Sequence, residues 1–144
     1  MYKFILQAHS GWAYVALIML VIAVINAFIG TSSKNPFTLK DRRISMMALI
    51  AVHIQFLFGL LLYFTSPNGL DKIQALGMSG MSSFDRLLAL EHPLTNLIAV
   101  TLITVGWSTH KKAADEKKFS RIALFYSLGL VLLLVRIPWE TWFA

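Results

Sequence analysis

Three histidines, His9, His53 and His92, lie within apolar stretches that are long enough to cross a membrane. Ionisable side chains inside a membrane segment are energetically unfavourable and usually mark a functional site. Glu91 directly precedes His92, and Arg136 lies near the end of the last apolar stretch. Imidazoles are common metal ligands, and arginine pairs bidentately with carboxylates. The pattern predicts a haem b site in which the histidines are candidate iron ligands and Arg136 holds a propionate or, failing that, Glu91.

Each of these residues also has a purely structural interpretation. A histidine in a membrane helix can be a hydrogen-bonded structural residue, and Glu91 and Arg136 can form an ion pair that joins two helices. Arg136 can also extend to the membrane surface, because it lies close to the end of its helix. His110, beside Lys111, is interpreted as an interfacial residue. These alternatives stay open at the level of sequence.

The composition is that of a membrane protein. Of the 144 residues, 57% are hydrophobic and 14% are charged, whereas soluble domains average about 45–50% apolar and about 25% charged residues. The chain contains no cysteine, which excludes disulfides, iron–sulfur clusters and covalently attached c-type haem. Its net charge is +6, but no basic helix outside the apolar runs predicts nucleic-acid binding.

Four apolar runs predict an all-α membrane protein, a four-transmembrane-helix up-and-down bundle that forms a single domain over residues 1–144. The predicted spans cover residues 4–30, 44–64, 84–108 and 122–139. Ser82, followed three residues later by Asp85, predicts a helix start, and Pro93 predicts a kink. Residues 65–83 are expected to form a loop. The first run is expected to be a retained helix, because it is too long for a signal peptide.

Two helix faces are predicted to point inward because they combine small and polar residues at helical spacing. The face on the first span comprises His9, Ala13, Ala16, Leu20, Ala23 and Ala27. The face on the third span comprises His92, Asn96, Ala99, Ile103, Gly106 and His110.

The distribution of basic residues predicts the orientation in the membrane. Nine of the thirteen Lys and Arg residues lie in the first and third loops. They are Lys34, Lys40, Arg42, Arg43, Lys111, Lys112, Lys117, Lys118 and Arg121. The positive-inside rule places these loops in the cytoplasm, so both termini are expected to face outward from a bacterial inner membrane.

This topology predicts which histidines meet. His9 and His92 lie roughly 8 Å and roughly 9 Å deep from the same side, on helices that are diagonal and parallel in an up-and-down bundle. They are the predicted axial pair, and His53, nearer the midplane, is a supporting or alternative ligand. Gly59 and Gly129 are expected to leave room for the ring. Trp12 and Trp139 are expected to fill space beside it.

A family resemblance points in the same direction. The segments HSGWAYV (9–15), DRRISMMALIAVHIQFLFGLLLYF (41–64), LEHPLTNLIAV (90–100), ITVGWS (103–108) and FYSLGLVLLLVRIPW (125–139) resemble a family of small four-helix membrane proteins described as cytochrome b-like. The similarity covers nearly the whole chain. More loosely, the bundle resembles one half of haem A synthase, whose haems are held by histidines on alternate helices and where an acid lies near a ligand histidine, as Glu91 does here. This chain has neither a second half nor a cysteine pair.

We therefore expect a b-type haem protein of the bacterial inner membrane that takes part in electron transfer. Quinone or other membrane subunits of a respiratory complex are the expected partners, and the bilayer is its surroundings. Two alternatives stay open: a cofactor-free accessory or scaffold subunit, and a haem-modifying enzyme related to haem A synthase.

Overall fold

The structure is a computed structural model that describes residues 1–143, and all of its regular elements are helices. Four helices are long and apolar enough to cross a membrane: α1 (Tyr2–Ser33), α2 (Leu39–Thr65), α4 (Ser83–Lys112) and α5 (Asp115–Val135). Two shorter helices follow α2 and α5 in the chain: α3 (Leu70–Gly80) and α6 (Trp139–Trp142). The predicted all-α four-helix membrane bundle is confirmed, and the chain is a multi-pass membrane protein by helix length and composition.

The helix ends follow from local capping. Ser82 caps α4 as predicted, since its hydroxyl accepts from the Asp85 N–H while the Asp85 carboxylate accepts from the Ser82 N–H. At the start of α2 the Asp41 carboxylate likewise accepts from the Thr38 N–H, at 2.8 Å. Helix α5 ends at Val135, where the sequence predicted residue 139. Pro138 explains the early end, because it lacks an N–H and disfavours helical geometry in the residue before it.

Two regions between the spans differ from expectation. The predicted loop over residues 65–83 contains the amphipathic helix α3, whose Leu76 and Met78 are exposed. Near Pro93 the irregularity takes the form of a π-turn over Leu87–Glu91, in which the His92 N–H donates to the carbonyl of Leu87, five residues earlier. Pro93 has no N–H with which to continue the α-helical pattern, so the wider turn lies just before it.

The four long helices form a ring in which each contacts two neighbours. Helix α1 packs on α2 and α5, and α4 also packs on α2 and α5. Helices α1 and α4 are therefore diagonal across the bundle, as are α2 and α5. This order is the up-and-down arrangement that the sequence predicted.

Buried residues are concentrated in one half of the bundle. We call it the basic half, because it adjoins the connections at residues 34–38 and 113–114; the other half is the cavity half. Among the described residues of the long helices, burial begins at Ala16 in α1, ends at Val52 in α2, and ends at Gly129 in α5. In α4 it begins at Ala99, apart from one residue in the π-turn.

Small residues let the helices approach closely in the basic half. The predicted inward faces are buried from Ala16 onward in α1 and from Ala99 onward in α4. An added Cβ on Gly106 would lie 2.6 Å from the Phe125 Cβ. On Gly129 it would lie 2.5 Å from the Ile103 Cγ1. The expectation that Gly129 leaves room for a cofactor ring is wrong, because Ile103 fills that space.

Candidate functional site

The cavity half encloses a cavity of about 630 Å³ between the long helices. Most of the residues around it are apolar, and Ala16, Val52 and Val100 lie where it meets the core of the basic half. Ligand pockets in proteins typically measure about 300–1,000 Å³, with apolar walls and a few polar groups that orient the ligand. The cavity has this character. Its polar groups include the side chains of His9, His92, Gln55 and Asn96.

His9 and His92 face each other in this cavity from the diagonal helices α1 and α4. Their ring centroids are 6.2 Å apart, and the ring planes are inclined at 84°. Metal–imidazole bonds are about 2 Å long, so the separation is of the size that two imidazoles bound to one metal ion require. The structure thus brings together the two histidines that the sequence predicted as a pair.

Hydrogen bonds fix the orientation and the tautomer of His92. Its Nδ1 is 2.7 Å from the backbone carbonyl oxygen of Arg136. A carbonyl only accepts, so Nδ1 carries the hydrogen, and Nε2 of the neutral ring has the lone pair. That lone pair accepts from the Asn96 amide nitrogen at 3.0 Å. Metal-binding histidines commonly donate their other N–H to a carbonyl in this way.

His9 is held between a side-chain amide and a glycine. The Gln55 amide nitrogen lies 3.2 Å from Nδ1 and 3.4 Å from Nε2 of His9. A Cβ added to Gly59 would lie 3.2 Å from Cε1 of the same ring. A larger residue at position 59 would therefore displace His9, and Gly59 makes room for the imidazole itself.

Two buried amide oxygens in the cavity have no hydrogen-bond partner among the described residues. They are Oε1 of Gln55 and Oδ1 of Asn96, and both side chains line the cavity. Buried polar atoms are nearly always paired with protein or water, so an unpaired one needs an explanation. A ligand or a water molecule with hydrogen-bond donors would satisfy both oxygens.

Glu91 and Arg136 lie outside the cavity and pair with each other. The Arg136 Nε is 3.3 Å from a carboxylate oxygen of Glu91, and both side chains are nearly half exposed, at 46% and 41%. Neither side chain lines the cavity. This geometry is that of an ion pair that joins two helices. The side chain of Arg136 does not reach the site, but its backbone carbonyl does, through the contact with His92.

His53 and Trp12 also lie away from the cavity. Nδ1 of His53 is 2.8 Å from the carbonyl oxygen of Leu49, and Nε2 is 3.2 Å from the Thr104 hydroxyl on α4. Both ring nitrogens therefore have partners within the protein. Trp12 donates from its indole nitrogen to the carbonyl of Ala51 at 2.9 Å and thereby joins α1 to α2. The structure does not bring either residue to His9 and His92.

Two tryptophans differ from what the sequence predicted for the site. Trp142, to which the sequence assigned no role in the site, lines the cavity, and its indole nitrogen donates to the Ser10 carbonyl at 3.3 Å. Trp139, by contrast, is 42% exposed and does not line it. Gln55 was visible as a polar residue within an apolar span, and Asn96 as a polar residue one turn after His92. That signal places them inside a bundle but does not assign them a partner.

The residues around the cavity fit a haem better than a metal ion alone. The described residues contain no group of three or more His, Cys, Asp or Glu side chains that could hold a metal ion. Two neutral imidazoles suffice only when the metal arrives with further ligands, as iron does in a porphyrin. The cavity volume is compatible with such a group. The unpaired amide oxygens of Gln55 and Asn96 would still need water as a donor beside it, because a metal-bound porphyrin with ionised propionates only accepts.

The chain matches no protein-family model, no curated protein and no solved structure. The resemblance to cytochrome b-like proteins and to haem A synthase therefore stays a prediction.

Proposed function

We propose that this protein binds a b-type haem in its membrane bundle and carries electrons. The observation that supports this proposal is the His9–His92 pair, which meets across a cavity at a centroid separation of 6.2 Å. The resemblance stated above favours the same function. Bound haem would supply one-electron redox chemistry, whereas the protein supplies ligands, a water-poor cavity and orientation.

In this proposal His9 and His92 would hold the haem iron through their imidazoles. The Arg136 carbonyl keeps the Nδ1 hydrogen of His92 in place, so Nε2 is the nitrogen available to a metal. Asn96, which now donates to that Nε2, has to turn away when the nitrogen binds a metal. Gln55, whose amide nitrogen contacts the His9 ring, would likewise have to turn away if His9 binds the metal.

The environment and partners belong to the same proposal. Nine of thirteen basic residues lie in or near the connections at residues 34–38 and 113–114, which favours a bacterial inner membrane with both termini outward. Quinone or another subunit of a respiratory complex would exchange the electron. Reporter fusions at Ala144, which lies outside the described residues, test the orientation: activity of a periplasm-specific reporter is expected, and activity of a cytoplasm-specific reporter contradicts it.

Visible absorption of the purified protein tests haem binding and ligation together. We expect a Soret band that shifts on dithionite reduction, with low-spin character. His9→Ala and His92→Ala should each abolish the low-spin spectrum, because each removes one axial ligand. His53→Ala and His110→Ala are the matched controls and should retain it. If His53→Ala loses the spectrum while His9→Ala keeps it, the ligands are instead His53 and His92.

A cofactor-free scaffold subunit is the second candidate. It is favoured by one observation: both nitrogens of His92 already have partners in the protein, namely the Arg136 carbonyl and Asn96. The two candidates differ in a haem titration of the purified protein. Saturable binding of one haem per chain that is lost in His92→Ala supports the electron carrier, whereas the absence of saturable binding supports the scaffold. Nothing in the geometry favours a haem-modifying enzyme over these two.

A further inference from the structure

A second pocket, of about 400 Å³, lies at the basic end of the bundle. It is far along the helices from His9 and His92, since it is formed where α2 begins, α4 ends and α5 begins. Its charged residues are Arg42, Lys111 and Lys118, one from each of these helices. No carboxylate is among the residues that line it. The pocket therefore concentrates positive charge from three separate helices.

Two of these cations lack an acidic partner within the part of the chain that the structure describes. The guanidinium of Arg42 and the ammonium of Lys111 instead lie 6.0 Å and 5.7 Å from the centroid of the Trp107 ring. The adjacent acid Asp41 is occupied elsewhere, because its carboxylate oxygens accept from Thr38 and Asn26. Arg42 and Lys111 are thus held beside one aromatic ring with their charge uncompensated.

Lys118, the third cation, pairs at 2.7 Å with Asp115, whose side chain is 81% exposed while that of Lys118 is 25% exposed. Exposed ion pairs of this kind are weak, typically below about 1 kcal/mol, so Lys118 can exchange its partner for another anion. The pocket also has an apolar side formed by Phe37 and by Leu39, which is 60% exposed. A ligand that suits the whole pocket carries a negative charge next to an apolar portion.

We propose that this pocket binds a phosphate group, and specifically the phosphodiester of an anionic phospholipid. The end of a membrane-spanning bundle is at the depth of lipid headgroups, and basic pockets between membrane helices are known to bind such headgroups. Arg42 offers paired donors that match phosphate oxygens, and the two lysines add charge. The exposed Leu39 lies where an acyl chain would follow. The proposal does not depend on haem binding or on orientation, because both leaflets present phosphates.

Native mass spectrometry of the protein released from nanodiscs tests the proposal. Nanodiscs are made of phosphatidylcholine with a minor fraction of phosphatidylglycerol. We expect one retained phosphatidylglycerol per chain at a frequency well above its fraction in the nanodisc. The pocket variant Arg42→Gln with Lys111→Gln should reduce this retention at least tenfold.

The sequence offers a matched control at the neighbouring positions. Arg43 and Lys112 are exposed and do not line the pocket, so Arg43→Gln with Lys112→Gln removes the same charge from the same helix ends. This control should retain the lipid as the wild type does. Equal loss in both double variants would show diffuse attraction to the membrane and overturn the proposal, as would retention in both.

Two further measurements separate the source of the phosphate and the state of the fold. Added inorganic phosphate should leave the retained lipid in place; displacement at millimolar concentration would support the same phosphate chemistry with a soluble ligand.

Arg42→Lys with Lys111→Arg keeps both charges and should retain the lipid. If this variant binds no lipid although its helical circular dichroism and melting temperature equal those of the wild type, two cations with one guanidinium in the pocket do not suffice for binding and the proposal fails.

Discussion

The basic half and the cavity half of this bundle are built from the same four helices but are packed in different ways. In the basic half, small residues bring the helices together, and Tyr126 is fully buried with its hydroxyl donating to the Ser45 carbonyl on the diagonal helix at 2.8 Å. In the cavity half, polar side chains of His9, Gln55, His92 and Asn96 surround about 630 Å³ of space. Close packing stabilises the first half and leaves the second free to hold a ligand.

The difference shows how a small membrane protein can combine a stable fold with an open site. Packing and hydrogen bonds, rather than the hydrophobic effect, join helices inside a bilayer, so tight contacts are needed somewhere. Here they are concentrated between Ala16 and Gly30 of α1 and the facing parts of the other helices. A site with unpaired buried atoms is tolerated because those contacts lie elsewhere in the bundle.

The largest effect on stability is expected from overpacking the basic half with Gly106→Leu. Its Cβ would lie 2.6 Å from the Phe125 Cβ, so α4 and α5 would have to separate. Overpacking of a close contact typically destabilises by about 1–3 kcal/mol. Unfolding of the purified protein by SDS, followed by circular dichroism, measures the change.

Gly11→Leu is the matched control for this substitution, because nothing beyond the neighbouring backbone of its own helix lies within 4 Å of a Cβ added at Gly11. It makes the same chemical change in a membrane helix and should leave the unfolding midpoint close to that of the wild type. If both variants are equally destabilised, close helix packing is not what stabilises the basic half.

A smaller effect is expected from the ion pair at the edge of the cavity half. Arg136 and Glu91 are 46% and 41% exposed, and exposed pairs contribute about 0.2–1 kcal/mol. We expect Arg136→Leu to lower the free energy of unfolding by no more than this, and Glu91→Leu to add little on top of it. A double-mutant cycle measures the coupling between the two side chains.

A redox titration of haem-loaded protein separates this ion pair from a propionate contact. If Arg136 pairs only with Glu91, Arg136→Leu should leave the midpoint potential nearly unchanged. A lowered potential together with weaker haem retention would show that Arg136 contacts a propionate instead, because a nearby positive charge favours the reduced iron.

The smallest effect on stability, with a large effect on binding, is expected from Asn96→Leu in the cavity half. This change removes a buried oxygen that has no partner and an amide that donates to His92. Losing the unpaired oxygen is favourable, whereas leaving Nε2 of His92 without its donor costs about 1–3 kcal/mol, so the two effects oppose each other. We expect the unfolding midpoint of the ligand-free protein to change little, and haem affinity measured by absorption titration to rise, because no amide then competes for Nε2 of His92.

Asn96→Asp is the comparison variant for that experiment. It keeps the size of the side chain but places a carboxylate in the cavity, which is unfavourable without a partner. It should lower the unfolding midpoint. A Leu variant that is as destabilised as the Asp variant would mean that Asn96 supports the fold itself, against the division between the two halves.

The bundle and the proximity of His9 to His92 could be predicted from the sequence because both follow from the regular geometry of the α-helix. Helical periodicity assigns inward faces, and the rise per residue converts position into depth. The cap at Ser82 follows from local chemistry in the same way. Helix order then makes α1 and α4 diagonal, which is the relation that the two imidazoles need.

The rest of the site depends on individual side-chain orientations that periodicity does not contain. His53 lies at a plausible depth, but its ring nitrogens bind Leu49 on its own helix and Thr104 on α4. Gly129 looked like open space, and Ile103 fills it. Trp142 reaches the cavity because the chain turns at Pro138, and such a turn is not predicted from hydropathy.

The contact between His92 and residue 136 has a consequence for genetics. Its acceptor is a main-chain oxygen, so every amino acid at position 136 offers the same atom. A screen of side-chain replacements at this position would therefore detect only the loss of the ion pair with Glu91. What fixes that oxygen is the path of the chain after α5, where Pro138 prevents the helix from continuing. A change at Pro138 would therefore disturb the imidazole of His92 on a different helix, and a suppressor of that change would be expected among the residues that shape the turn.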